Sequence, residues 1–143
     1  MATNRRRHPE GIGKTVILDT NFLFIPLKFK VDIFSELERL YGVMPTCILT
    51  SVSMEELGYL KIGAKSSFLK EIRFAERLAQ KCKVVEVEAK SKEKVDDLIL
   101  RYAMETGFPV ATNDAELRGK LRKKGLSNIY LRQKTHLVIE GRH

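Results

Sequence analysis

A chain of 143 residues has the length of one domain and can bury a sizeable core, and its 43% hydrophobic content is that of an ordinary globular protein. Lys and Arg number 26 against 18 Asp and Glu, a net charge of +8 that suggests a polyanionic partner. No apolar run is long enough to cross a bilayer, and the Arg-rich start lacks the apolar core of a secretory leader, so no membrane role is expected.

Residues 1–14, with Arg5, Arg6, Arg7, His8, Pro9, Gly11 and Gly13, read as a basic flexible arm ahead of a domain over 15–143. Thr15–Asp19 is a short buried strand that ends in a carboxylate. Phe22–Leu27 is apolar until Pro26 interrupts it. Val31, Ile33, Phe34, Leu37 and Leu40 then recur at helical spacing, with Asp32 in the first turn and Gly42 as the stop. Cys47–Thr50 is a second strand, leading into a short helix over 51–60. The longest helix covers 64–81, with Phe68, Ile72, Ala75 and Ala79 on one stripe and Lys70, Arg73, Arg77 and Lys81 opposite. Lys83–Val87 is a third strand. Glu93–Thr106 is helical and closed by Gly107. Phe108–Thr112 is a fourth strand, with Pro109 tolerable only near its start. Ala115–Lys124 is a helix stopped by Gly125, Asn128–Leu131 a fifth strand, and Thr135–Ile139 either a further strand or an extended segment. Strands alternating with helices imply a parallel sheet sandwiched between helices, a three-layer α/β/α fold.

Four junctions offer carboxylates. The first strand ends at Asp19, and the fourth runs into Asn113 and Asp114. The second leads to Glu55 and Glu56, and the helix before the fourth strand opens with Asp96 and Asp97. Helix phasing chooses within the two adjacent pairs. Asp96 borders the stripe Val95, Leu98, Ile99, Tyr102 and Ala103, whereas Asp97 lies about 100° further round. Glu56 aligns with Val52, Tyr59 and Leu60, and Glu55 points elsewhere. Each acid also has a local role open to it: Asp19 and Asp114 as helix N-caps, Ser53 with Glu56 as a capping box, Asp96 as a favourable first-turn charge. Their joint placement on one side of the sheet favours a shared site.

Carboxylates brought together repel and take up a proton unless cations intervene. Oxygen-only ligands suit Mg²⁺ or Mn²⁺, which can activate water against a phosphoryl group. No phosphate-binding glycine loop, nucleophile elbow or Cys–His pair competes. Cys47 and Cys82 are isolated, and His8, His136 and His143 supply no zinc spacing; free thiols in a reducing cytoplasm are the expected state. An acidic metal centre in a basic protein fits hydrolysis of a phosphodiester.

Val16-Ile-Leu-Asp-Thr-Asn-Phe-Leu23, Met54-Glu-Glu-Leu57, Val95-Asp-Asp-Leu-Ile99 with Ala103, and Val110-Ala-Thr-Asn-Asp-Ala-Glu-Leu-Arg118 occur in the order seen in PIN-domain ribonucleases. The resemblance covers roughly residues 15–131. It is strongest to the archaeal and eukaryotic PIN proteins of ribosomal RNA processing, with VapC-type toxins more distant. It implies a five-stranded parallel sheet in order 3-2-1-4-5 and Mg²⁺- or Mn²⁺-dependent cleavage of single-stranded RNA, such as a ribosomal RNA precursor. By motif, Asp19, Glu56, Asp96 and Asp114 would form the acidic site, with Asp19, Asp96 and Asp114 holding metal. Asn21 and Thr112 would support it, with Asp97 a reserve for Asp96 and Glu116 an outer acid. Two other readings remain open: an RNA-binding assembly factor without cleavage activity, and a VapC-type toxin with an antitoxin partner. A homodimer is compatible with any of them. Arg118, Lys120 and Arg122 follow Asp114 closely and are expected to touch RNA phosphates. Of Phe22, Phe24, Phe29 and Phe34, most belong to a core, with one or two left for base stacking.

Overall fold

The structure, a computed structural model, describes residues 14–141. The expected basic arm therefore lies, apart from Lys14, outside the described residues. Those residues form a sheet of six strands in the order β3-β2-β1-β4-β5-β6. The strands are β1 (Thr15–Leu18), β2 (Thr46–Thr50), β3 (Lys83–Val85), β4 (Val110–Ala111), β5 (Asn128–Arg132) and β6 (His136–Glu140). The first five are parallel in the order 3-2-1-4-5, and β6 adds an antiparallel edge to β5. The six α-helices are α1 (Ile25–Phe29), α2 (Ile33–Tyr41), α3 (Ser51–Leu60), α4 (Ser66–Ala79), α5 (Val95–Thr106) and α6 (Ala115–Lys123).

Strand parity divides the core. On β1, Val16 and Leu18 join Leu37, Leu57, Ala75 and Ala79 from α2, α3 and α4 on one face. Ile17 joins Ile99, Ala103, Leu117 and Leu121 from α5 and α6 on the other. Both faces of β1 are thus covered, which is why all four of its side chains are buried and apolar or nearly so. The register pairs Ile17 with Val110 and Leu18 with Ala111, so Asp19 and Thr112 are the next residues out on neighbouring strands. Asp19 stays extended and its N–H donates to Ala111 O at 2.9 Å, prolonging the ladder by one step.

Several sequence expectations shift at their edges, each for a local reason. The third strand stops at Val85 rather than Val87, because the Val87 N–H is taken by Ser51 Oγ at 3.1 Å instead of a strand partner. The fourth begins at Val110, since Pro109 has no N–H and the Phe108 N–H caps back onto Thr106 Oγ1 at 3.2 Å. Pro26 does not break a helix; it sits in the first turn of α1, where its missing N–H is harmless. The tail segment is the sixth strand. It is held by Arg39 of α2, whose guanidinium donates to Leu137 O at 2.9 Å, while Glu36 accepts from the Leu137 N–H at 3.0 Å.

Candidate active site

Asp19 is the innermost acid, 5% exposed at the end of β1. It is held by three donors. Thr112 Oγ1 donates to Oδ2 at 2.7 Å, Asn21 Nδ2 donates to Oδ2 at 3.0 Å, and the Thr20 N–H donates to Oδ1 at 2.9 Å. The local role the sequence allowed is real, because the last of these bonds caps the 3-10 turn Thr20–Phe24. The side-chain bonds do something else: they fix the carboxylate between two strand ends. Asn21 Oδ1 in turn accepts from the Asn113 N–H at 3.2 Å, and Thr112 Oγ1 accepts from the Asp114 N–H at 3.0 Å. One polar lattice therefore ties β1 to the β4–α6 junction.

Around Asp19 opens a cleft of about 560 Å³ whose wall includes Asn21, Glu56, Asp96 and Asp114. The acids chosen by helix phasing are the ones that face it. Glu56 lines the cleft and Glu55 is exposed away from it. The capping box considered for Glu56 does not form, because α3 is capped one turn earlier by Thr50, whose Oγ1 accepts from the Ser53 N–H at 3.1 Å. Asp96 lines the cleft, whereas Asp97 turns outward to an ion pair with Lys120 at 3.2 Å. Asp114 does cap α6, but both capping bonds, from the Glu116 and Leu117 N–H groups, fall on Oδ1. Glu116 is exposed and lies outside the cleft wall.

None of the ion pairs among the described residues engages Asp19, Glu56, Asp96 or Asp114. Burial pushes the Asp19 carboxyl up to about 6; the bonds from Thr112 and Thr20 oppose this, and the charges of Asp96 and Glu56 add to it. Asp96 is also raised, by burial first and then by the charge of Asp114, with Lys120 pulling the other way. The cleft therefore favours either a bound proton or a cation.

The wall chemistry fits a hard cation. It offers oxygen donors without thiolate or imidazole, and the Thr20 hydroxyl in that wall is buried with no hydrogen-bond partner among the described residues. No three Asp, Glu, His or Cys side chains among the described residues stand close enough to enclose an ion by themselves. The acids line a wider cleft instead. Such an arrangement suits Mg²⁺ or Mn²⁺, which keep several waters and take one or two carboxylates directly.

The expected phosphate contacts on α6 have partners within the protein. The Arg118 guanidinium stacks on the Tyr130 ring at 3.5 Å and donates to Asn128 Oδ1 at 3.2 Å. Arg122 pairs with Glu140 at 3.1 Å, and Lys120 with Asp97. Conversely, Lys28 and Glu71 line the cleft and were not singled out from the sequence. Glu71 could have been found there, since it lies three residues after Phe68 on α4 and so on the same side of that helix. Lys28 belongs to a helix that Pro26 concealed.

The acids gather beyond the carboxyl ends of the inner strands of an open α/β sheet, at the topological switch point between β1 and β4 where such sheets bind their ligands. The chain belongs to the PIN like domain family, which it matches over residues 16–134. It is 34% identical over 129 residues to Ribonuclease VapC4 of Methanocaldococcus jannaschii, covering 88% of this chain and 96% of that protein. Ribonuclease VapC9 of Archaeoglobus fulgidus is 28% identical over 127 residues, 89% of this chain and 90% of the other. The structure of the PIN domain endonuclease Utp24 superimposes with a TM-score of 0.74 at 26% identity, covering 90% of this chain and 92% of that one.

Proposed function

We propose that the protein is an endoribonuclease that hydrolyses phosphodiester bonds in single-stranded RNA with the help of Mg²⁺ or Mn²⁺. The observation that carries this reading is the buried Asp19, held by Thr112 and Asn21 in a cleft shared with Glu56, Asp96 and Asp114. The names of the VapC relatives, both ribonucleases, and of the Utp24 endonuclease support it.

Asp19, Asp96 and Asp114 would hold the metal, which supplies charge neutralisation at the phosphoryl group and acidifies water. Glu56, in the same cleft, would orient the attacking water and accept its proton. Thr112 and Asn21 keep the Asp19 carboxylate in one orientation, a role whose loss in metal sites usually weakens activity by about 10- to 100-fold. Asp97 holds Lys120 beside the site, where the ammonium moderates the charge on Asp96. The cations of α6 draw RNA toward the cleft through their summed field more than through individual contacts.

The substrate class we favour is a ribosomal RNA precursor, on the strength of the motif resemblance to processing PIN proteins. A toxin ribonuclease with an antitoxin partner is the second reading, favoured by the two VapC relatives. Incubation of purified protein with precursor ribosomal RNA and Mn²⁺, wild type against Asp19→Asn, tests the proposal. Metal-stimulated cleavage confined to the wild type is the expected result. Tight RNA binding without cleavage at any metal concentration would convert the protein into a binding factor. Growth arrest on expression, relieved by the product of a neighbouring small gene, would favour the toxin.

A further inference from the structure

The cleft lining is not all acid. Phe24, Phe29, Leu60 and Phe68 give it apolar surface that the acid chemistry does not use, and Lys28 gives it a cation. Phe68 opens the apolar stripe of α4, but it does not behave like the rest of that stripe. Ile72, Ala75 and Ala79 are 3% exposed or less, while Phe68 is 37% exposed. Its ring stacks on that of Phe24, with centroids 6.1 Å apart and planes inclined by 20°. Phe24 is itself half-buried against the core. The pair is thus a flat apolar surface, anchored on one side and open on the other.

Resting on the ribonuclease reading above, we propose that Phe68, backed by Phe24, is the platform on which a nucleobase of the RNA stacks while the adjoining phosphate lies over the acids. A nucleotide is the ligand whose two halves match the two kinds of lining, a flat apolar ring beside an anion that needs a cation. The exposed Lys28 lines the same cleft and offers the backbone a counter-charge.

The platform also predicts what kind of selectivity the cleft can have. The amides near the acids are engaged inside the protein. Asn21 uses both ends, donating to Asp19 and accepting from the Asn113 N–H, and Asn113 Oδ1 accepts from the Leu131 N–H at 3.1 Å. Stacking on Phe68 proceeds by ring area, so purines are favoured over pyrimidines.

The test measures binding in the Asp19→Asn background, so that no RNA is consumed. Fluorescence anisotropy compares labelled oligoadenylate with an abasic ribose-phosphate chain of equal length. Four proteins are used: Phe68 unchanged, Phe68→Ala, Phe68→Leu and Phe68→Trp. With Phe68 or Trp the adenine chain binds more tightly than the abasic one. Phe68→Ala and Phe68→Leu each lower that ratio by about tenfold while leaving affinity for the abasic chain unchanged. A ratio unaffected by Phe68→Ala, or fully restored by Leu, overturns the platform while leaving the ribonuclease reading intact. Failure of both chains to bind any of the four proteins overturns both.

Discussion

The protein treats its two clusters of like charge in opposite ways. On α6, each of the three cations that sequence position marked out is matched locally: Lys120 by Asp97, Arg122 by Glu140, Arg118 by Glu140 at 3.7 Å and by the face of Tyr130. In the cleft, Asp19 is raised by burial and the charges of Asp96 and Glu56, and Asp96 by burial and the charge of Asp114, while Lys120, which pulls Asp96 the other way, is paired with Asp97. A fold that can neutralise a basic helix could neutralise an acidic cleft by the same means. That it does not do so is why we propose the cleft, rather than the basic helix, as the working site, with the missing charge supplied from outside.

The sharpest way to break the contrast is at Asp114, which both caps α6 and faces the cleft. Asp114→Asn keeps a capping oxygen and removes the charge; it should lower ribonuclease activity at least about 100-fold with little change in melting temperature. Asp114→Ala should lose the same activity and a further ~1 kcal/mol of stability, measurable by urea titration. Equal activity in wild type and Asn variant would reduce Asp114 to a helix cap. Next in size is Thr112→Val, which deletes both the 2.7 Å bond to Asp19 and the acceptor of the Asp114 N–H without opening a cavity. Activity should fall by about 10- to 100-fold, chiefly in kcat.

The unneutralised state of Asp19 has a thermodynamic signature in metal-free protein. Its carboxyl is raised from 3.8 to about 6, so between these values the folded protein holds a proton that the unfolded chain has released. The contribution of Asp19 to stability is fully present below about pH 4 and is lost as pH rises through about 6, by about 3 kcal/mol in total. Asp19→Asn should remove that component of the pH profile, as followed by thermal or urea unfolding. The smallest effect belongs to the other side of the comparison. Reversal of a single α6 charge, Arg122→Glu, should weaken RNA binding by only about threefold and alter the salt slope by no more than about one charge. A loss of 100-fold there would restore α6 as the direct phosphate contact.

How much of this was legible follows from how far each signal travels along the chain. Asp19 was readable because a strand of four buried residues ends on it, and Glu56 and Asp96 because helical periodicity is a local rule that the tertiary structure did not override. The pairing of Lys120 with Asp97 joins two helices across 23 positions and leaves no local trace. For the same reason the commitments of Arg118 and Arg122 to β5 and β6 could not be seen, and the whole cluster looked available. The sixth strand was ambiguous since its stability depends on Arg39 and Glu36, about a hundred residues away. Phe68 shares the apolar stripe of α4 that its spacing predicts, but only packing shows that the buried part of that stripe begins one turn later, at Ile72.

The central claim is that Asp19 lacks a counter-charge which a divalent cation supplies. Carbon-13 NMR of the Asp19 side-chain carboxyl, titrated with and without Mg²⁺, tests it most directly. The account predicts a midpoint near 6 in metal-free protein that drops toward or below the ordinary 3.8 when Mg²⁺ is added. A carboxyl that titrates near 3.8 in the absence of metal and does not respond to Mg²⁺ would contradict it.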